Sequence, residues 1–292
     1  MRRACIDIGS NTTRLLVAEH DGAGLRAIHE ERAFTRIGAA LAERGTIPVA
    51  KRDEVASVVS AQLSTARAHG ADDIRGVATA AIRHARDGVE FAGELQARTG
   101  LGITILSDRE EARLAFVGAA GMIEAECPEP LAVVDVGGGS SEVVVGRAPA
   151  RIEWWASLPV GSGALAARHL AHDPPTAPEL AAARAEVTAA ADAVDWSGPA
   201  AAGAVAVGGS ATSLCRVAGP QLTVDALTAA LRVLAAEPAE AIAGRYAIDP
   251  ARARLLPAGL LILQELGRRL DTDVAVGRGG IREGVLLEAG AR

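Results

Sequence analysis

The sequence predicts an α/β protein of two related lobes. Three observations predict it: a strand-turn-strand phrase written twice, an alternation of strands and helices after each copy, and a length of 292 residues, enough for two domains with a core each. The phrase CIDIGSNTTRLLVAE at 5–19 returns as VDVGGGSSEVVVG at 134–146, with Asp7 aligned on Asp135, 128 residues further on. Each copy is a short apolar run ending in aspartate, a Gly-rich polar turn and a second apolar run, which reads as a β-hairpin.

In order along the chain, a third strand is predicted over 24–31. A helix follows over 51–69, because Val55, Val58, Val59, Leu63 and Ala66 fall near helical spacing and Gly70 closes the run. Next come a strand at 74–78, a helix over 88–98 and a strand at 102–106. The second half repeats the order, with strands at 131–136, 142–146 and 152–157. Helices then dominate: Pro174 and Pro175 separate two of them, and the alanine-rich stretch 181–194 reads as a packed helix. The last Gly-rich turn, AVAVGGSATSL at 204–214, feeds a helix from a strand. The lobes are expected over 1–125 and 126–292, with a hinge in 122–130, where Pro128 and Pro130 break the preceding helix.

A formal net charge of −6 argues against a general nucleic-acid or membrane-surface binder. Aromatic residues make up 2% of the chain, which leaves little for base stacking. Cys5, Cys127 and Cys215 are odd in number and without CxxC spacing, as expected of reduced thiols in a cytoplasmic protein. No apolar run approaches the length of a membrane helix. The six histidines show no metal-ligand spacing and are expected at the surface.

Turns of Gly, Ser and Thr after an aspartate can bring backbone N–H groups and hydroxyls to one point, a nest for phosphate oxygens. Gly9, Ser10, Asn11 and Thr12 form one such turn and Gly137, Gly138, Gly139 and Ser140 the other. Asp7 and Asp135 each end a strand just before a turn. They either initiate the turn by bonding its amides or, beside phosphate, serve a Mg²⁺ ion, with Glu142 as a further oxygen donor. Gly208 and Gly209 are open between a plain strand-to-helix turn and a ligand contact. Arg14 and Arg83 can clamp phosphate oxygens; for Arg83 an ion pair with Asp87 is the alternative. In ILSDREEARLAFVGAAG at 105–121, Ser107 and Glu110 form a capping box. Glu111 then shares a helix face with Leu114, Ala115 and Gly118. A desolvated carboxylate there suits a general base, and a solvated glutamate paired with an arginine is the alternative.

Eight blocks in order along the chain, DIGSNTTRLLVAE at 7–19, ATAAIRHARDG at 78–88, LSDREEARLAFVGA at 106–119, VDVGGGSSEVVVG at 134–146, SLPVGSGAL at 157–165, AVGGSATSL at 206–214, LPAGLLIL at 256–263 and GIREGVLLE at 280–288, resemble the exopolyphosphatase and guanosine pentaphosphate phosphohydrolase family. The similarity is to the short form, without the HD-type domain of larger members. It implies two ribonuclease-H-like lobes of the actin-like, sugar-kinase-like (ASKHA) fold with an interlobe cleft. By that resemblance Glu111 matches the general base that activates water, and Asp135 and Glu142 match acidic residues associated with a divalent ion, Mg²⁺. Residues 137–140 match the phosphate loop, and residues 7–12 and Arg83 match phosphate-contacting positions. The activity then expected is hydrolysis of the terminal phosphoanhydride of inorganic polyphosphate. The alternatives are a guanosine pentaphosphate 5′-phosphohydrolase and a non-catalytic sensor of the same ligands. Many proteins of this superfold dimerise, so a homodimer is a possible assembly.

Overall fold

The structure is a computed structural model that describes residues 1–20, 24–41, 45–124 and 126–290. It divides into two compact units, Met1–Met122 with Gly279–Arg292, and Ile123–Arg278. The first opens with β1 (Arg2–Ile8), β2 (Thr13–His20) and β3 (Leu25–Ala33), followed by α1 (Ile37–Leu41) and α2 (Val49–Ala68). It continues with β4 (Asp73–Ala78), α3 (Ala80–His84), α4 (Gly88–Thr99), β5 (Ile103–Ile105) and α5 (Asp108–Ala120). The second unit opens with β6 (Leu131–Val136), β7 (Ser141–Arg147), β8 (Arg151–Leu158), α6 (Ser162–His169), α7 (Ala177–Asp192), β9 (Gly203–Val207) and α8 (Gly208–Ala218). It closes with β10 (Gln221–Leu222), α9 (Val224–Ala236), α10 (Ala239–Tyr246), α11 (Pro250–Ala253), α12 (Leu256–Leu270) and β11 (Val274–Val276), after which α13 (Ile281–Gly290) ends the described chain.

The two sheets have one topology. The first runs β3-β2-β1-β4-β5 and the second β8-β7-β6-β9-β11 with β10 added at the edge. In both, three antiparallel strands are followed by two parallel ones. The likeness extends to an irregularity. β2 shifts register against β3 between Val17 and Ala18, and β7 against β8 between Val145 and Gly146, again 128 residues apart. A bulge at the same place in both copies twists both hairpins alike.

Side-chain alternation sends the first sheet's residues to two faces. Ala4, Ile6, Ile8, Leu15 and Val17 pack with Val55 and Val59 of α2 and Phe91 and Leu95 of α4. Cys5, Leu16 and Ala18 pack on the other face with Leu114 of α5 and Val285 and Leu286 of α13. This second cluster explains a difference from the expected lobes. The division at 125/126 assigns the last helix to the second lobe, whereas α13 returns to the first unit, where it covers a sheet face that α5 alone leaves incomplete. The approach is close: a Cβ on Gly284 would lie 2.1 Å from Leu114 O, and one on Gly118 1.9 Å from Gly280 O. Residue 125, at the expected boundary, lies outside the described residues. In the second unit one core joins Val134, Val136, Val143 and Val145 to α6, α7, α8 and α12.

The short strands β10 and β11 and helix α3 were not expected from the sequence. They are too short for periodicity to reveal, and the strands form only because a sheet edge completes their hydrogen bonds. Among the described residues no helix is long and apolar enough to cross a membrane, and all three cysteines are free.

Candidate functional site

Each duplicated hairpin ends in the same turn. Gly9 N–H donates to Thr12 O at 3.0 Å, and Gly137 N–H to Ser140 O at 3.0 Å. The chain after the third strand then ties down the turn carbonyls. Gly38 N–H donates to Ser10 O (2.8 Å) and Arg36 N–H to Asn11 O (3.0 Å). In the second unit Ser162 N–H donates to Gly137 O (2.9 Å) and Ala164 N–H to Gly138 O (2.9 Å). In a trans peptide the carbonyl and the following N–H point in opposite directions. The N–H groups of Asn11 and Thr12, and of Gly138 and Gly139, therefore point away from the segments that hold their carbonyls, the orientation an anion nest requires. Glycine is obligatory at Gly161, where a Cβ would lie 2.5 Å from Gly138 C and Gly139 N.

The first turn contains buried polar atoms without a protein partner, Asp7 Oδ1 and Asn11 Nδ2. Such atoms are rare in folded proteins and mark places where a ligand or water completes the bonding. Burial pushes the Asp7 carboxyl above the usual carboxylate range, with Arg14, directly across the β1–β2 ladder, opposing the shift.

Cross-strand partners distinguish the two hairpins. Asp7 stands opposite Arg14, and Asp135 opposite Glu142, the residue 128 positions after Arg14. Residues directly opposite in an antiparallel pair share a face with Cβ atoms roughly 5 Å apart, and two like charges there repel. The first hairpin thus sets an acid against a base, the second two acids. Glu142 is buried and accepts from Ser157 Oγ at 3.0 Å. Two carboxylates at directly opposite positions of one hairpin offer oxygen donors of the kind a hard divalent cation takes.

The third Gly-rich turn borders this pair. Gly208 has φ +81°, a conformation that favours glycine, and a Cβ there would lie 2.5 Å from Asp135 Oδ1. Gly209 leaves room for the buried Arg252, whose Nη2 would lie 2.6 Å from a Cβ. Ser210 Oγ donates to Val136 O (3.1 Å), tying the start of α8 to the end of β6. Gly208 and Gly209 therefore have a packing role beside Asp135, whatever else they contact.

Glu111 and Arg83 meet in the first unit. The capping box at the start of α5 is present: Glu110 N–H donates to Ser107 Oγ (3.3 Å), and Ser107 N–H to Glu110 Oε2 (3.0 Å). The Ser107 backbone bond, then its hydroxyl, hold Glu110 below the usual carboxylate range. Glu111, one residue on, is 5% exposed. It is both desolvated and paired: Arg83 Nη1 donates to Glu111 Oε2 at 2.6 Å and to Leu106 O at 2.8 Å, while Nη2 lies against Asp108 Oδ1. Arg83 Nε is buried without an acceptor.

Asp87 is not the partner of Arg83. Its carboxylate accepts from Ile47 N–H and pairs with Arg52 at 2.6 Å. Burial alone would raise Asp87, but these bonds outweigh it and hold the group below its ordinary value. Sequence reading also missed Thr79, a buried residue whose hydroxyl lies 3.9 Å from a Cβ on Gly9 and whose carbonyl accepts from Arg83 N–H (3.0 Å). Thr79 thereby links the first turn to Arg83 at the carboxyl ends of β1 and β4. No motif marks it, since its place depends on two parallel strands ending side by side.

The sequence pattern of the Ppx/GppA phosphatase family matches residues 16–291. An uncharacterized protein of Streptomyces coelicolor is 33% identical over 68% of this chain, and the chain spans 60% of that relative's length. Exopolyphosphatase 2 of Mycobacterium tuberculosis is 31% identical over 98% of this chain and 96% of its own. Among solved structures, the Ppx/GppA family member of Aquifex aeolicus superposes with a TM-score of 0.82 at 26% identity, covering 100% of this chain and 98% of that one. The expected α/β class holds: two mixed sheets with helices, in one strand order, on a fold shared with the Ppx/GppA family member. A family pattern that spans almost the whole described chain, on a fold it shares from end to end, leads to one conclusion: the chain belongs to the Ppx/GppA phosphatase family.

Proposed function

We propose that this protein is an exopolyphosphatase, which hydrolyses the terminal phosphoanhydride of inorganic polyphosphate and releases orthophosphate. The observation that carries the proposal is Glu111, a buried carboxylate held by an arginine at 2.6 Å, in a phosphatase-family chain that aligns end to end with a protein named exopolyphosphatase. Water is the nucleophile. Its oxygen bonds to the terminal phosphorus, the bond from that phosphorus to the bridging oxygen breaks, and Glu111 takes the water's proton. Arg83 holds the Glu111 carboxylate in place and keeps a donor, Nε, for phosphate oxygens. The turn amides of Asn11 and Thr12, and those of Gly138 and Gly139, serve as fixed dipoles for anionic oxygens, a contribution that needs no reorganisation during reaction.

Asp135 and Glu142 are the residues that would hold a divalent cation, because the basic cross-strand partner of the first hairpin is replaced by a second carboxylate. Mg²⁺ bound there would neutralise charge on the phosphoryl oxygens. Removal of the 5′ phosphate from guanosine pentaphosphate would use the same attack on a different leaving group. The 2% aromatic content, poor in platforms for a guanine base, favours polyphosphate.

Phosphate release measured with Mg²⁺ on short-chain polyphosphate, long-chain polyphosphate, guanosine pentaphosphate and ATP tests the proposal. Release from polyphosphate in preference to the nucleotides is expected. Preference for guanosine pentaphosphate would reassign the substrate, and binding without release from any of them would make the protein a sensor.

A further inference from the structure

The Gly-rich turn of the second unit is held from behind by two serine hydroxyls. Ser162 and Ser210 are 1% and 3% exposed, so neither can itself reach a ligand in solution. Ser162, the first residue of α6, donates twice to one atom: its N–H reaches Gly137 O at 2.9 Å and its Oγ reaches the same oxygen at 3.1 Å. Ser210, in the first turn of α8, shares its one proton between Val136 O (3.1 Å) and Ser162 Oγ (3.3 Å), so Ser162 keeps its own proton for Gly137 O. With the bond from Ala164 N–H to Gly138 O, the successive carbonyls of Val136, Gly137 and Gly138 are all fixed. Helix α12 closes over both serines at Gly259, where a Cβ would lie 3.2 Å from Ser210 Cβ and 3.7 Å from Ser162 Cβ.

One donor satisfies a buried carbonyl, and the Ser162 N–H already supplies it. The hydroxyl is therefore a second donor to an oxygen that is not orphaned without it. Its effect falls on the other end of the same peptide. A carbonyl that accepts more bonds polarises its amide and strengthens the N–H as a donor, by roughly 10–30% per bond. In the peptide joining Gly137 to Gly138 that N–H belongs to Gly138, which points away from the segment holding the carbonyl. The turn also needs outside support, because Gly137, Gly138 and Gly139 are consecutive glycines, the residue type with the most backbone freedom to lose on ordering. The first turn carries Ser10 and Asn11 where the second carries Gly138 and Gly139, so the need is greater in the second.

We propose that Ser162 and Ser210 are positioning residues that hold and polarise the amides of the 137–139 turn, and so set its affinity for a phosphate oxyanion without touching it. The proposal rests on the reading of this turn as a phosphate site.

The test uses Ser162→Ala, Ser162→Cys and Ser210→Ala in the full chain. It reads melting temperature, kcat and KM on polyphosphate with Mg²⁺, tripolyphosphate binding by calorimetry without divalent cations, and the amide resonance of Gly138 in ¹⁵N-labelled protein. Cysteine fills the space of serine but is a weak donor, so it separates lost donation from lost packing. Both Ser162 variants should raise KM and Kd about three- to tenfold, with kcat within about twofold. In both, the Gly138 amide proton should move less far downfield when tripolyphosphate is added. Ser210→Ala, acting one peptide away, should change the same quantities in the same direction by less. Ser162→Cys should melt within about 4 °C of wild type, because the backbone N–H still serves Gly137 O. Binding lost in Ser162→Ala but restored in Ser162→Cys would make the serine a packing residue and overturn the inference. KM and Kd within twofold of wild type in both Ser162 variants would also overturn it, while leaving polyphosphate hydrolysis intact. Weakened tripolyphosphate binding in both Ser162 variants, in a protein whose wild type releases no phosphate, would uphold it and overturn the hydrolysis reading instead.

Discussion

Gly208→Ala is expected to damage the second unit through Asp135. Two costs are separable. A residue with a side chain at φ +81° pays roughly 1–2 kcal/mol for the left-handed backbone. The new methyl would also lie 2.5 Å from Asp135 Oδ1, well inside contact distance, so the carboxylate must move. Forcing an atom into a filled space costs about 1–3 kcal/mol. The sum is a loss of about 2–5 kcal/mol, read by urea denaturation with the m-value checked for constancy. The decisive comparison is a double-mutant cycle with Asp135→Ala. Once the carboxylate is gone only the backbone cost remains, so Gly208→Ala should cost about 1–3 kcal/mol less in that background. Additivity within about 0.5 kcal/mol would refute the reasoning, because it would mean that Gly208 does not constrain Asp135.

Three further outcomes are expected. Arg83→Met should cost about 3–5 kcal/mol of unfolding free energy, since it leaves the 5%-exposed Glu111 carboxylate without its partner, and adding Glu111→Gln should recover part of that loss in the same denaturation assay. Asp7→Asn should stabilise the protein at neutral pH: the folded pKa of Asp7 is raised, so ionisation opposes folding above it, and the advantage of asparagine should vanish as pH falls through the folded value to below the unfolded value of about 3.9. A stability difference that grows on acidification would contradict the sign. Two glycine substitutions should act in opposite directions in thermal melts: Gly93→Ala, in helix α4 with nothing within 4 Å of the added methyl, should stabilise by about 0.5–1 kcal/mol, whereas Gly284→Ala, 2.1 Å from Leu114 O, should destabilise by about 3 kcal/mol or more.

Local elements were legible in the sequence wherever a repeat or a period existed. Strand β6 matches its expected range of 131–136, and the hairpin repeat predicted two sheets that share even a register shift. The capping box at Ser107 and Glu110 was readable because both partners lie within one helical turn. Interactions set by tertiary contact were not. Asp87 looked like a partner for Arg83 four residues away, yet α3 turns Arg83 toward Glu111 while Asp87 faces Arg52 on α2. The return of α13 to the first unit was hidden for the same reason, since only the assembled sheet has a second face that needs covering. Arg36 illustrates a third limit: its sequence neighbours give no turn signal, and its left-handed backbone follows from the hydrogen bond to Asn11 O.

The measurement that bears most directly on the central claim is single-turnover phosphate release from polyphosphate by the wild type and Glu111→Gln, with tripolyphosphate binding measured on both. Gln preserves shape and can still accept from Arg83, but it cannot take the water's proton. Release should fall by about 10²–10⁴-fold with binding unchanged within a few fold. A glutamine variant that releases phosphate at the wild-type rate would remove Glu111 from the chemistry and contradict the account.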